Sequence, residues 1–142
     1  MGASASFALS CSVTKADHIA YWMNGAGQNW QEVGSMFTAG TYVPCLFWVH
    51  LTIEKLAKAL WVKDNAGDIP PFTHNIGKLL ADTSLVLTSD QAKFVLQLNT
   101  FQLEGRYESY TTNLRQMATT AFTQSVLQDV TDLRLCLLNQ LP

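Results

Sequence analysis

The sequence predicts an all-α protein, an up-and-down bundle of four to five helices. Three observations carry this. Apolar residues recur at three- and four-residue spacing in several long segments, which is helical periodicity. Thr-x-x-Asp and Thr-x-x-Gln capping patterns stand where such segments begin. No segment has the alternating pattern and partner that a sheet would need.

Residues 1–13 read as a loose N-terminal tail, and 14–142 as one helical domain. Thr14 with Asp17 starts the first helix. Its stripe is Ile19, Trp22, Met23, Ala26, Trp30, Val33 and Phe37, ending at Gly40. Gly25 and Gly27 interrupt the stripe and mark either a bend or a close helix approach. Thr41 is the expected cap of the second helix, with Pro44 in its first turn, where a missing N–H is tolerated.

This second helix, Tyr42 to about Asp64, is the centre of the chain. It is apolar along its length yet carries His50, Glu54, Lys55 and Lys58. The paired prolines of GDIPPFTH then exclude helix. Thr73 is the candidate cap of a short third helix bearing Ile76, Leu79 and Leu80. The segment Ser84–Thr88 reads as a packed connector, since a lone strand has nothing to pair with. Thr88 with Gln91 opens a fourth helix, with Phe94, Val95, Leu98 and Phe101 on one face. Arg106–Thr112 reads as a loop. A last helix, starting between Asn113 and Thr119, carries Phe122, Val126, Val130, Leu133, Leu137 and Leu141.

The slightly negative net charge, -2, argues against a broad basic face for nucleic acid. Cys11, Cys45 and Cys136 form no CxxC pair, and Cys45 and Cys136 fall inside apolar patterns. A reducing, cytoplasmic setting follows as the expectation, with no membrane-spanning segment. The low charged share suggests that a partner, most simply a second copy, covers some surface.

His18, His50 and His74 make no HExxH or HxxxH pair, so no metal site is expected. Phosphate-loop and nucleophile-elbow patterns are absent, and no cofactor is expected. His50, Glu54 and Lys58 stand four residues apart in series and share one flank of a helix. The default reading is a solvated flank with a Glu54–Lys58 ion pair. The functional reading is a charged pocket beside an aromatic wall of Trp48, Trp61 or Trp30. His74 by default fixes a turn. Arg106 closes a helix end or clamps a phosphate, with Tyr107 beside it.

Together these segments resemble the HEPN family (higher eukaryotes and prokaryotes nucleotide-binding). The matching features are Glu54–Lys55 followed by Lys58–Ala59, then the Pro71-Phe72-Thr73-His74 turn into a leucine-rich helix. Arg106–Tyr107 follows after another helix, and the first helix ends in Ala39–Gly40–Thr41–Tyr42. The resemblance runs from about Lys15 to Leu141. It implies a bundle of four or five helices, usually dimeric, often encoded beside a minimal nucleotidyltransferase in toxin–antitoxin or related systems. Many members are metal-independent ribonucleases, with an arginine followed after four to six residues by a histidine.

This sequence departs from that pattern: no histidine follows Arg106 or Arg115, and Tyr110, with an ordinary pKa near 10, is a poor base. A glutamine often found three residues before the family glutamate is Leu51 here. The expectation is therefore a non-catalytic, homodimeric HEPN module that binds a nucleotide or phosphorylated ligand, a nucleotidyltransferase partner, or both. Lys55, Lys58, His74, Arg106 and Tyr107 are the expected ligand residues, with His50 and Glu54 structural. The alternative is a divergent ribonuclease using Arg106, His74 and Tyr110.

Overall fold

The computed structural model describes residues 12–102 and 108–142. The expected tail therefore falls, up to Cys11, outside the described residues, as do Arg106 and Tyr107. The described chain is helical throughout, without strands: α1 (Lys15–Ala39), α2 (Tyr42–Asp64), α3 (Ile76–Ala81), α4 (Ser89–Asn99), α5 (Glu108–Met117) and α6 (Thr120–Leu138). The all-α bundle is thus as expected, with one more helix than the four to five anticipated.

Helix α1 begins in a full capping box. The Asp17 amide donates to Thr14 Oγ1 at 3.1 Å, and the Thr14 amide donates to Asp17 Oδ2 at 2.9 Å. The helix runs unbroken through its glycines, so packing outweighs their poor propensity. Of the two expectations for Gly25, a bend or a close approach, the structure shows a close approach. A Cβ there would stand 3.2 Å from Lys55 Cδ, so the lysine stem lies flat across the glycine. Gly40 closes α1 at φ 76°, the left-handed region that glycine enters without a Cβ penalty. Thr41 occupies the cap position of α2, but its hydroxyl donates back to the Met36 carbonyl at 3.1 Å and makes no capping bond to α2.

Helix α2 is the axle of the bundle. Its buried side chains lie on every side, from Cys45 and Leu46 to Leu60 and Val62. Helix α1 covers one side through Ala26 and Val33, and α6 covers another through Val126, Val130, Leu133 and Leu137. The flank that bears His50, Glu54 and Lys58 is covered, whereas Leu51 and Lys55 stay partly exposed. The end of α2 is clamped by Lys15. Its ammonium donates to the Val62, Asn65 and Gly67 carbonyls at 2.9, 2.8 and 3.0 Å and pairs with Asp68 at 2.8 Å. A cation at a helix C-terminus is favourable against the helix dipole.

The short α3 is capped by Asn75, whose Oδ1 accepts from the Lys78 amide at 3.2 Å. The expected cap, Thr73, instead accepts from the Asn75 amide. Residues 84–88 form a connector, and the Thr88–Gln91 capping box starts α4. Phe101 lies past the end of α4 yet is fully buried, meeting Phe122 edge-to-face at 6.2 Å.

The expected loop over Arg106–Thr112 is helical from Glu108 onward. Glu108 in the first turn complements the dipole, and buried Leu114 anchors the helix on the core. The last helix is separate, breaking at Ala118–Thr119, where Thr119 Oγ1 accepts from the Phe122 amide. Cys45 and Cys136 are free thiols. Burial pushes the Cys45 thiol up to about 11, so it behaves as a small apolar group.

Candidate functional site

Midway along α2, one carboxylate gathers the polar residues of the interior. Glu54 is buried, and Lys58 Nζ lies 3.2 Å from its Oε2. Its Oε1 accepts from His74 Nδ1 at 2.9 Å, across the connector from α2 to α3. His50 lies one turn earlier and is fully buried, with Nδ1 3.8 Å from Glu54 Oε1. Its Nε2 is 2.9 Å from the His74 carbonyl oxygen.

These contacts fix the tautomers. A carbonyl only accepts, so His50 Nε2 carries the proton; a carboxylate only accepts, so His74 Nδ1 carries it. His50 Nδ1 is then a lone pair without a hydrogen-bond partner among the described residues. Burial lowers the His50 pKa below the ordinary imidazole value, against the opposing pull of the Glu54 charge and the bond to the His74 carbonyl. His50 therefore favours its neutral form beside the Glu54–Lys58 ion pair.

His74 fastens the proline turn to α2 twice, by its ring to Glu54 and by its carbonyl to His50. Asn99, at the end of α4, closes the same corner. Its Oδ1 accepts from the Ile76 amide at 3.1 Å, its Nδ2 donates to Asn75 Oδ1 at 3.2 Å, and its side chain approaches the His50 ring. Three elements far apart in sequence thus meet at one carboxylate and one imidazole.

The expected solvated flank is overturned: His50, Glu54 and Lys58 are interior groups. The reason is the covering of α2 by α1 and the proline connector. The aromatic beside the ladder is Trp22, absent from the expected wall of Trp48, Trp61 or Trp30. Lys58 Nζ sits 5.0 Å from the centre of the Trp22 ring, a cation–π contact in a desolvated setting.

Among the expected ligand residues, Lys58 and His74 therefore meet at Glu54, while Lys55 does not join them. Lys55 lies instead against Gly25 of α1. There Tyr21, Trp22, Asn24, Gly25, Gln28 and Lys55 line a cleft of about 250 Å³ between α1 and α2. Arg106 and Tyr107 lie outside the described residues. Sequence reasoning missed Asn99 and Trp22 as members of the cluster, and Lys15 as the clamp on α2. Trp22 had a visible signal, since it opens the same stripe that packs on α2; Asn99 and Lys15 had none.

A family model for the HEPN domain matches residues 19–133, spanning α1 to the middle of α6. The chain belongs to the HEPN domain family. The matched stretch contains the whole Glu54 cluster and the α1–α2 cleft. Neither a curated protein nor a solved structure matches the chain significantly. Among the described residues no group of three or more His, Cys, Asp or Glu side chains is arranged to hold a metal ion. No described helix is long and apolar enough to cross a membrane.

Proposed function

We propose that this HEPN domain is a non-catalytic binding module. It takes a nucleotide or other phosphorylated ligand, a nucleotidyltransferase partner, or both, as a cytoplasmic homodimer in a toxin–antitoxin-like or defence system. The observation that carries the non-catalytic reading is the state of the histidines. None follows Arg106 in the sequence, and His50, the best-placed interior imidazole, is sealed in the core with its Nε2–H on a backbone carbonyl. RNA cleavage through the 2′-hydroxyl needs a base and an acid that titrate near neutrality at the scissile phosphate.

The partner reading draws support from the surface around α3. Phe72 and Val86 are 99 % and 87 % exposed. They edge two hollows, of about 510 and 400 Å³, that share Ala81. Large exposed apolar side chains grouped about a hollow are typical of protein contacts.

One observation favours a second reading. His74 is half exposed, and its Nδ1–H is held by a buried carboxylate, the arrangement that orients an imidazole base. In that reading the chain is a divergent metal-independent ribonuclease using His74 with Arg106 and Tyr110.

A thermal-shift and calorimetric screen against nucleotides, run beside an RNA-cleavage assay, separates the two. The binding module is stabilised by at least one nucleotide and leaves RNA intact. No shift with any nucleotide at millimolar concentration contradicts the nucleotide part. RNA cleavage that disappears in His74→Ala contradicts the non-catalytic part. Co-purification with a nucleotidyltransferase encoded in the neighbouring reading frame tests the partner part.

A further inference from the structure

We propose that the α1–α2 cleft around Lys55 is a binding site for a planar aromatic ring bearing a single anionic group. This deepens the ligand-binding reading above and rests on it for the nucleotide arm alone.

The charge comes first. No carboxylate among the described residues pairs with Lys55, although its neighbour Lys58 is paired with Glu54. The ammonium is nevertheless placed. Gly25 leaves no Cβ, and the lysine lies across the gap, with Nζ 3.4 Å and Cδ 3.2 Å from where that Cβ would be. A lysine laid along a helix surface and left without a carboxylate partner among the described residues keeps its positive charge at the cleft.

The lining supplies the rest. Tyr21 and Trp22 meet edge-to-face, with centroids 5.1 Å apart and planes at 78°, so they form an aromatic corner. Tyr21 is 68 % exposed and offers a ring face for stacking. Stacking on an aromatic side chain favours binding of a nucleobase and tolerates many rings, since every base has a π-face. Asn24 and Gln28 stand on the same side of α1, and among the described residues neither amide has a hydrogen-bond partner. Each can both donate to and accept from the edge of a heterocycle.

Size sets the class. The cleft holds about 250 Å³, a little below the roughly 300–1,000 Å³ of drug-sized ligand sites. One unpaired cation matches one anionic group. A nucleoside monophosphate or a simple aromatic acid satisfies both limits. A triphosphate or an RNA strand leaves most of its charge unmatched there.

The test titrates the full chain with AMP, adenosine, ribose 5-phosphate and benzoate, read by calorimetry and by tryptophan fluorescence. Binding of AMP or benzoate is expected, with the ring-only and phosphate-only probes weaker by about tenfold or more, as the loss of stacking or charge predicts. Lys55→Gln and Tyr21→Ala each weaken binding by about tenfold or more while the far-ultraviolet spectrum and melting temperature stay unchanged. In Trp22→Phe the ligand-induced fluorescence change disappears.

Binding of AMP and benzoate unaffected by Lys55→Gln and Tyr21→Ala overturns the cleft and leaves the nucleotide reading standing. Benzoate bound without AMP keeps the cleft, assigns it to aromatic acids and removes the nucleotide reading at this site. Failure of every probe overturns the cleft.

Discussion

Glu54 and Lys55 are adjacent in sequence, sit on one helix and carry opposite charges, yet the fold uses them differently. Glu54 turns inward, where Lys58 and His74 satisfy it and His50 stands beside it. Lys55 turns toward α1 and finds a glycine, two aromatic rings and two amides, but no counter-charge among the described residues. A buried charge without partners is costly enough that the chain supplies them. A charge at a cleft mouth is hydrated and can be left unpaired at little cost. The difference separates what polar residues do for the fold from what they do for a ligand. Saturated bonding within the chain indicates structure; unspent bonding beside a cavity indicates binding.

The widest separation between the two residues is expected from Glu54→Ala. It leaves Lys58 without its partner and His74 without its acceptor, and should destabilise the protein by about 3–5 kcal/mol in urea denaturation. A loss under 1 kcal/mol would make the cluster a bystander. His74→Ala keeps the carbonyl that His50 needs and removes only the ring. A loss of about 1.5 kcal/mol is expected, near the lower end for a bond to a charged group, because water reaches the half-exposed site.

The pH response is smaller and has a defined sign. The folded-state pKa of His50 lies below its unfolded value near 6.5. Between those two values the unfolded chain binds the proton and the native chain does not. Stability therefore falls as pH drops from about 6.5 toward the folded pKa. His50→Gln, which retains a donor for the His74 carbonyl, should flatten that part of the profile, measured by denaturation between about pH 7 and pH 5. The smallest effect on stability is expected from Lys55→Gln, within about 0.5 kcal/mol of the parent chain.

Much of the fold was legible because its signals are local. Thr14 with Asp17, Thr88 with Gln91 and Gly40 act within one turn, and the structure uses each as the sequence suggests. The break at Ala118–Thr119 was less visible, since the apolar pattern continues across it and only a threonine cap divides the helices. The site was legible in part. The spacing of His50, Glu54 and Lys58 places them on one flank, but spacing carries no information about what covers that flank. The contact from His74 to Glu54 joins residues 20 apart through a proline turn. The bonds from Asn99 to Ile76 and Asn75 join another helix end to that corner. Periodicity describes one helix at a time and is blind to such junctions. Spacing puts Lys58 on the flank of Glu54 and leaves Lys55 off it, without showing what either side chain meets. The position of α1 supplies that, with Gly25 facing Lys55 and Trp22 beside Lys58.

The most direct test sets Glu54→Gln and Lys55→Gln side by side, measuring urea stability and the affinity for AMP and benzoate in each. The account predicts a crossed result: Glu54→Gln loses stability, and Lys55→Gln keeps stability but loses about tenfold or more in binding. Contradiction would come from Lys55→Gln binding as tightly as the parent chain, or from Glu54→Gln proving as stable as the parent.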